Sequence, residues 1–67
     1  MSPDTIRHQA EAFINWSERA GLPRAEAWRR WSSGKAFAAA DADAIYAEVL
    51  RVRAQRSVEA FVRRQPA

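Results

Sequence analysis

At 67 residues the chain has room for one domain with one small core, and such a core supplies only about 3–5 kcal/mol of net stability. It contains no cysteine and a single histidine, His8, so we predict no disulfide, no metal site and no cofactor. The net charge of +3 is unevenly spread: residues 1–50 carry six basic and seven acidic side chains, whereas residues 51–67 carry five arginines and one glutamate. This asymmetry favours an acidic partner for the C-terminal part.

The chain also lacks the features of a secreted or membrane-spanning protein. Its start has no basic region followed by an apolar one, as a secretory signal would. No uncharged stretch approaches the length that a bilayer requires. Together with the missing cysteines, these observations predict a soluble, cytoplasmic protein.

The first helix is predicted over residues 3–20. Ser2 is a good N-cap, Pro3 is favoured at the first helical position, and Asp4 suits the positive end of the helix dipole. Gly21 can adopt the left-handed conformation that ends a helix. Residues of the predicted buried face recur at steps of three and four: Ile6, Ala10, Phe13, Ile14, Ser17 and Ala20.

A short second helix is predicted over residues 23–32, opened by Pro23 and stopped by Gly34. Trp28 and Trp31 are three residues apart and are predicted to share a face with Ala25. Large aromatic side chains bury about 150–250 Å² each. We therefore interpret the two tryptophans as core residues, because the rest of the core offers only a few bulky side chains.

The third helix is predicted over about residues 41–64, with its start between Phe37 and Asp41 and with Asp41 or Asp43 near that start in a capping role. Its apolar residues do not form one stripe. Ala42, Val49 and Val52 lie within roughly 60° of Ile45, at about 100° per residue. A second stripe is centred about 200° round the helix and comprises Leu50, Ala54, Val58, Phe61 and Val62.

This second stripe needs a partner that the first two helices cannot provide. At 1.5 Å per residue the third helix is about 36 Å long, against about 27 Å and 15 Å for the others. We therefore predict that the second stripe is a protein interface, and a second copy of the chain is the simplest partner. The alternative is a kink near Arg53 that folds the helix back and brings Phe61 into the core.

Several arginines form a candidate contact surface for nucleic acid or another acidic partner. Glu26–Arg30, Glu48–Arg51 and Glu59–Arg63 have the spacing of ion pairs on a helix, which would satisfy part of the set. Neither Arg53 nor Arg56 has an acid three or four residues before it, as the arginines of these pairs do. The candidate residues are Arg29, Arg30, Arg53, Arg56, Arg63 and Arg64.

No arrangement of residues resembles an active site, so we predict no catalytic residues and no small-molecule substrate. Residues 16–31 fit a helix-turn-helix template only in part, since Arg30 would occupy a buried position.

The sequence predicts an all-α, three-helix domain spanning residues 1–67 with a long, basic, amphipathic C-terminal helix. We expect a small non-enzymatic regulatory or accessory protein that acts through protein–protein contact, including self-association. The alternative is a small basic nucleic-acid-binding protein, and a membrane partner is disfavoured because alanine makes the apolar face thin.

Overall fold

The computed structural model describes residues 1–64, which form three helices and no strand: α1 (Pro3–Ala20), α2 (Arg24–Ser33) and α3 (Ala39–Arg64). This confirms the predicted all-α, three-helix architecture with a long C-terminal helix. Residues 65–67, which belong to the predicted domain, lie outside the described residues. The third helix starts at Ala39, inside the predicted range from Phe37 to Asp41, and the amide of Ala42 donates to the carbonyl of Ala38 at 2.9 Å. Asp41 therefore lies inside the first turn instead of capping it.

Both ends of α1 form as the sequence predicts. The hydroxyl of Ser2 accepts a hydrogen bond from the amide of Thr5 at 3.2 Å, so it caps the helix. At the other end Gly21 takes the left-handed conformation, with φ 66°, and its amide donates to the carbonyl of Ser17 at 3.1 Å. A residue with a Cβ would be strained there, so the sharp end of α1 depends on this glycine.

Helices α1 and α3 lie side by side and run in the same direction. Near the start of α1, Arg7 Nη1 lies 3.6 Å from a carboxylate oxygen of Glu48. Near its end, the hydroxyl of Ser17 lies 3.0 Å from Arg53 Nη2. Because contacts advance along both helices together, α1 stops beside the middle of α3, and the rest of α3 continues past it.

The core lies between α1 and the first half of α3, and α2 covers it with aromatic side chains. The ring of Phe13 is 5.2 Å from that of Trp28 and 5.4 Å from that of Trp31, and Trp28 in turn lies 5.0 Å from Tyr46. Trp31 is buried and Trp28 is half-buried. The buried apolar residues are Ala10, Phe13, Ile14, Ala27, Trp31, Ile45, Val49 and Val52.

Two alanines were placed wrongly from the sequence pattern. The alanine of α2 that packs in the core is Ala27, which is fully buried, whereas Ala25 is exposed. Ala27 and Trp31 are four residues apart and share a helical face, while Ala25 lies about 200° from Ala27. Ala20, the last residue of α1, is also exposed.

The connection from α2 to α3 contains an unexpected backbone conformation. Gly34 ends α2 with ordinary right-handed angles, φ −78° and ψ −9°. The left-handed position is occupied by Ala36, with φ 54°. An alanine pays a steric penalty in this region that a glycine does not. The turn between α2 and α3 is therefore less favourable than the turn after α1.

Candidate interaction surface on the C-terminal helix

Helix α3 divides at Arg53 into a packed part and an exposed part. In the packed part Ile45, Val49 and Val52 are buried against the rest of the domain. Residues 54–64, here called the projecting segment, contain no buried side chain, and only Ala60 is even half-buried. The segment is about 16 Å long at 1.5 Å per residue. It extends beyond α1 as a free helix within the described chain.

The second stripe is exposed, as the interface prediction requires. Phe61 is 63% exposed, Val58 and Val62 are each 62% exposed, and Leu50 is 40% exposed. Helix α3 is unbroken from Ala39 to Arg64, so the predicted alternative, a kink that returns Phe61 to the core, does not occur. Complete burial of such a side chain is worth about 1.5–3 kcal/mol. Covering the exposed part of each one would contribute a fraction of that free energy.

The candidate arginines do not form one surface. Arg56, Arg63 and Arg64 are exposed on the projecting segment, and none of them makes an ion pair with another residue of the range 1–64. The predicted Glu59–Arg63 pair is therefore absent from this range. Both side chains are exposed to water, where an ion pair gains little and restricts two long side chains.

Arg53 is placed differently from its neighbours, since it is half-buried against α1. Its Nη2 donates to the hydroxyl of Ser17 at 3.0 Å, and its Nε is buried without a hydrogen-bond partner in the described residues. Its positive charge also lies beside the last turn of α1, where the helix dipole is negative. Arg53 thus holds α3 against α1 at the point where α3 begins to extend past α1.

Arg29 and Arg30 lie on α2, and both are exposed. Arg30 forms the predicted ion pair with Glu26, with 2.8 Å between Nη2 and Oε1. Its side chain is 61% exposed, whereas the helix-turn-helix template would bury it. The structure thus agrees with the mismatch to that template at Arg30.

A charged network ties α1 to the packed part of α3. Arg7 contacts Glu11 at 2.9 Å and Glu48 at 3.6 Å, and Arg51 donates two hydrogen bonds to Glu48 at 2.7 and 2.6 Å. The hydrogen bonds from Arg51 are the largest influence on Glu48 and lower its pKa below the ordinary value. Burial opposes them as the next largest influence, and the charges of Arg51 and Arg7 lower the pKa further. This network is structural, because its acids are already matched by arginines.

The rest of the described surface offers little for other chemistry. Within residues 1–64 no three His, Cys, Asp or Glu side chains come together as metal ligands, and none of the three helices is long and apolar enough to cross a membrane. His8 is exposed, as the sequence predicts. The chain matches no protein-family model, and no curated protein or solved structure is similar enough to count as a match.

Proposed function

We propose that this chain is a small non-enzymatic accessory or regulatory protein of the cytoplasm that acts through protein–protein contact, including self-association, by means of the second stripe. The observation that supports this is the exposure of Val58, Phe61 and Val62 on a helix that runs past the rest of the domain. A domain of this size has little stability to spare. Large apolar side chains on its surface therefore favour a role in binding.

The contrast with the rest of the domain supports the same proposal. Phe13, Ile14 and Ile45 are fully or almost fully buried, so the chain does bury its large side chains wherever α1 and α3 lie together. An exposed amphipathic helix with anchors at such spacing is the usual element that docks into a groove or pairs with another helix. Val58, Phe61 and Val62 are neither part of the core nor packed against it.

The test is the double substitution Val58→Asp with Phe61→Asp. We expect helicity and the unfolding transition of a dilute sample to be retained, because neither residue contacts the core. Light scattering should show that an oligomer of the parent has become a monomer. The control is Arg56→Asp, which changes the net charge by the same two units at an exposed residue on the other side of the same segment and should leave the oligomer intact. A double variant that unfolds the whole domain would contradict the proposal.

Nucleic-acid binding is a second candidate, and the observation that favours it is the set of exposed arginines on the projecting segment, Arg56, Arg63 and Arg64. About three phosphate contacts imply a slope of log K on log salt near −2.7, at about −0.9 per phosphate on duplex DNA. Replacing Arg63 and Arg64 by Gln should reduce the slope by about two. No detectable binding to DNA or RNA at about 50 mM salt would remove this candidate.

A further inference from the structure

The outer face of α3 has a pattern of large and small side chains that is symmetrical about Ala54. Ala47 and Phe61 lie seven residues before and after it, and Leu50 and Val58 lie four residues before and after it. All five are exposed, and all lie within about 40° of the direction of Ala54, at 100° per residue. We infer that two copies of the chain pair through this face with their α3 helices antiparallel, crossing at Ala54. The inference rests on the proposed function and specifies the partner.

The side-chain sizes fit this arrangement. Phe61 of one copy lies over Ala47 of the other, Leu50 lies over Val58, and the two Ala54 residues meet at the centre. Each large ring is thus opposite a small residue, as knobs-into-holes packing requires. In a parallel pair Phe61 would meet Phe61 and Ala47 would meet Ala47. The helices would then be forced apart at one end and would leave a gap at the other.

The charges of α3 select the same direction. Asp41 and Asp43 lie near its start, whereas Arg63 and Arg64 lie at its end. In an antiparallel pair centred on Ala54, Arg64 of one copy comes close to Asp43 of the other. A parallel pair would instead bring the two arginine-rich ends together.

The arrangement also gives the projecting segment a place to pack. With the pair centred on Ala54, residues 44–64 of the two helices overlap over about 30 Å at 1.5 Å per residue. The projecting segment of each copy then lies along the packed part of the other copy's α3, on the side that faces away from α1. Phe61 and Val58 become covered in both copies at once, as expected for a two-fold interface.

Cysteine cross-linking tests the direction, because the chain has no cysteine of its own. Ala54→Cys should form a disulfide-linked dimer under mild oxidation, since the two positions meet on the two-fold axis. Ala47→Cys, an equally exposed alanine on the same face, should not, because its two copies would be separated by about 21 Å along the helices, far beyond the reach of a disulfide. A mixture of Ala47→Cys and Phe61→Cys chains should give the linked heterodimer.

The same samples, examined by light scattering, separate the outcomes. A dimer in which Ala47→Cys links to itself overturns the antiparallel direction but leaves self-association through the second stripe standing. A parent chain that remains monomeric up to about millimolar concentration, at which even a Kd near 1 mM would show, overturns both the antiparallel pair and the self-association in the proposed function. The inference is supported if Ala54→Cys links to itself, Ala47→Cys does not, and the mixture of Ala47→Cys and Phe61→Cys chains gives the linked heterodimer.

Discussion

The two parts of α3 have the same secondary structure but opposite surroundings. In the packed part the apolar residues Ile45, Val49 and Val52 face α1. Arg7, Glu48 and Arg51 form a charged network at the edge of this contact between the two helices. In the projecting segment the large apolar residues face away from that direction and are mostly in water. The apolar face therefore changes direction near the residue where the neighbouring helix ends.

Under the proposed function, this difference reflects two separate requirements on one helix. If folding of the monomer were the only requirement, the residues beyond α1 would gain nothing from being large and apolar. The change of face at Arg53 separates residues that stabilise the domain from residues that are available to a partner. Each half of α3 can thus be tested without the other, as the following predictions do.

The largest expected difference in stability is between a Phe→Ala substitution in the core and the same substitution in the projecting segment. Phe13→Ala removes a fully buried ring that contacts Trp28 and Trp31, and should cost about 3–5 kcal/mol. This is as much as a core of this size supplies, so cooperative unfolding followed by circular dichroism should be lost. Phe61→Ala should leave the transition of a dilute monomer nearly unchanged.

A Phe61→Ala chain that also lost cooperative unfolding at dilute, monomeric concentration would break the division of α3 into two parts. It would mean that the projecting segment stabilises the monomer. The matched measurement is therefore made at several protein concentrations. The parent and Phe61→Ala should differ only in how the unfolding transition depends on protein concentration.

A smaller difference in stability is expected between alanine substitutions at two arginines that lie three residues apart in α3. Arg53→Ala removes the hydrogen bond to Ser17 and the packing of the aliphatic stem on α1, and should cost about 1 kcal/mol. Arg56→Ala removes an exposed side chain and should change stability by less than about 0.5 kcal/mol. Urea unfolding of both variants checks the pair. Equal effects would show that Arg53 does not fasten α3 to α1.

Most of the fold could be predicted from local sequence signals. Ser2, Pro3 and Gly21 bound α1 because capping is decided by a few neighbouring residues. What could not be predicted depends on contacts between helices. The burial of Ala27 instead of Ala25 depends on how α2 is rotated about its axis against the core. The left-handed conformation of Ala36 lies in the connection between α2 and α3, and no local sequence pattern predicts it for an alanine.

The candidate surface shows the same limit. The exposure of Phe61 followed from the periodicity of α3 and the lengths of the helices, both of which the sequence contains. Arg53 and Arg56 looked alike, since neither has an acid three or four residues before it on the helix. Their difference comes from Ser17, which lies 36 residues from Arg53 in the chain and is a buried polar group on another helix. A polar residue within the apolar face of α1 was the signal that could have identified its partner.

The smallest expected effect concerns two glutamates, one in each part of α3. Glu48 pairs with Arg51 and Arg7, and these contacts hold its pKa in the folded state below the ordinary value near 4.5. Its contribution to stability is therefore fully present above that value and is lost as the pH falls through the lower folded-state pKa. Glu48→Gln should lower the free energy of unfolding at pH 7, and its difference from the parent should shrink towards pH 3.

Glu59→Gln is the control, because Glu59 is exposed and makes no ion pair within residues 1–64. A pH-dependent difference as large for Glu59→Gln as for Glu48→Gln would mean that the charges of the projecting segment also stabilise the fold, and the boundary at Arg53 would then have to move.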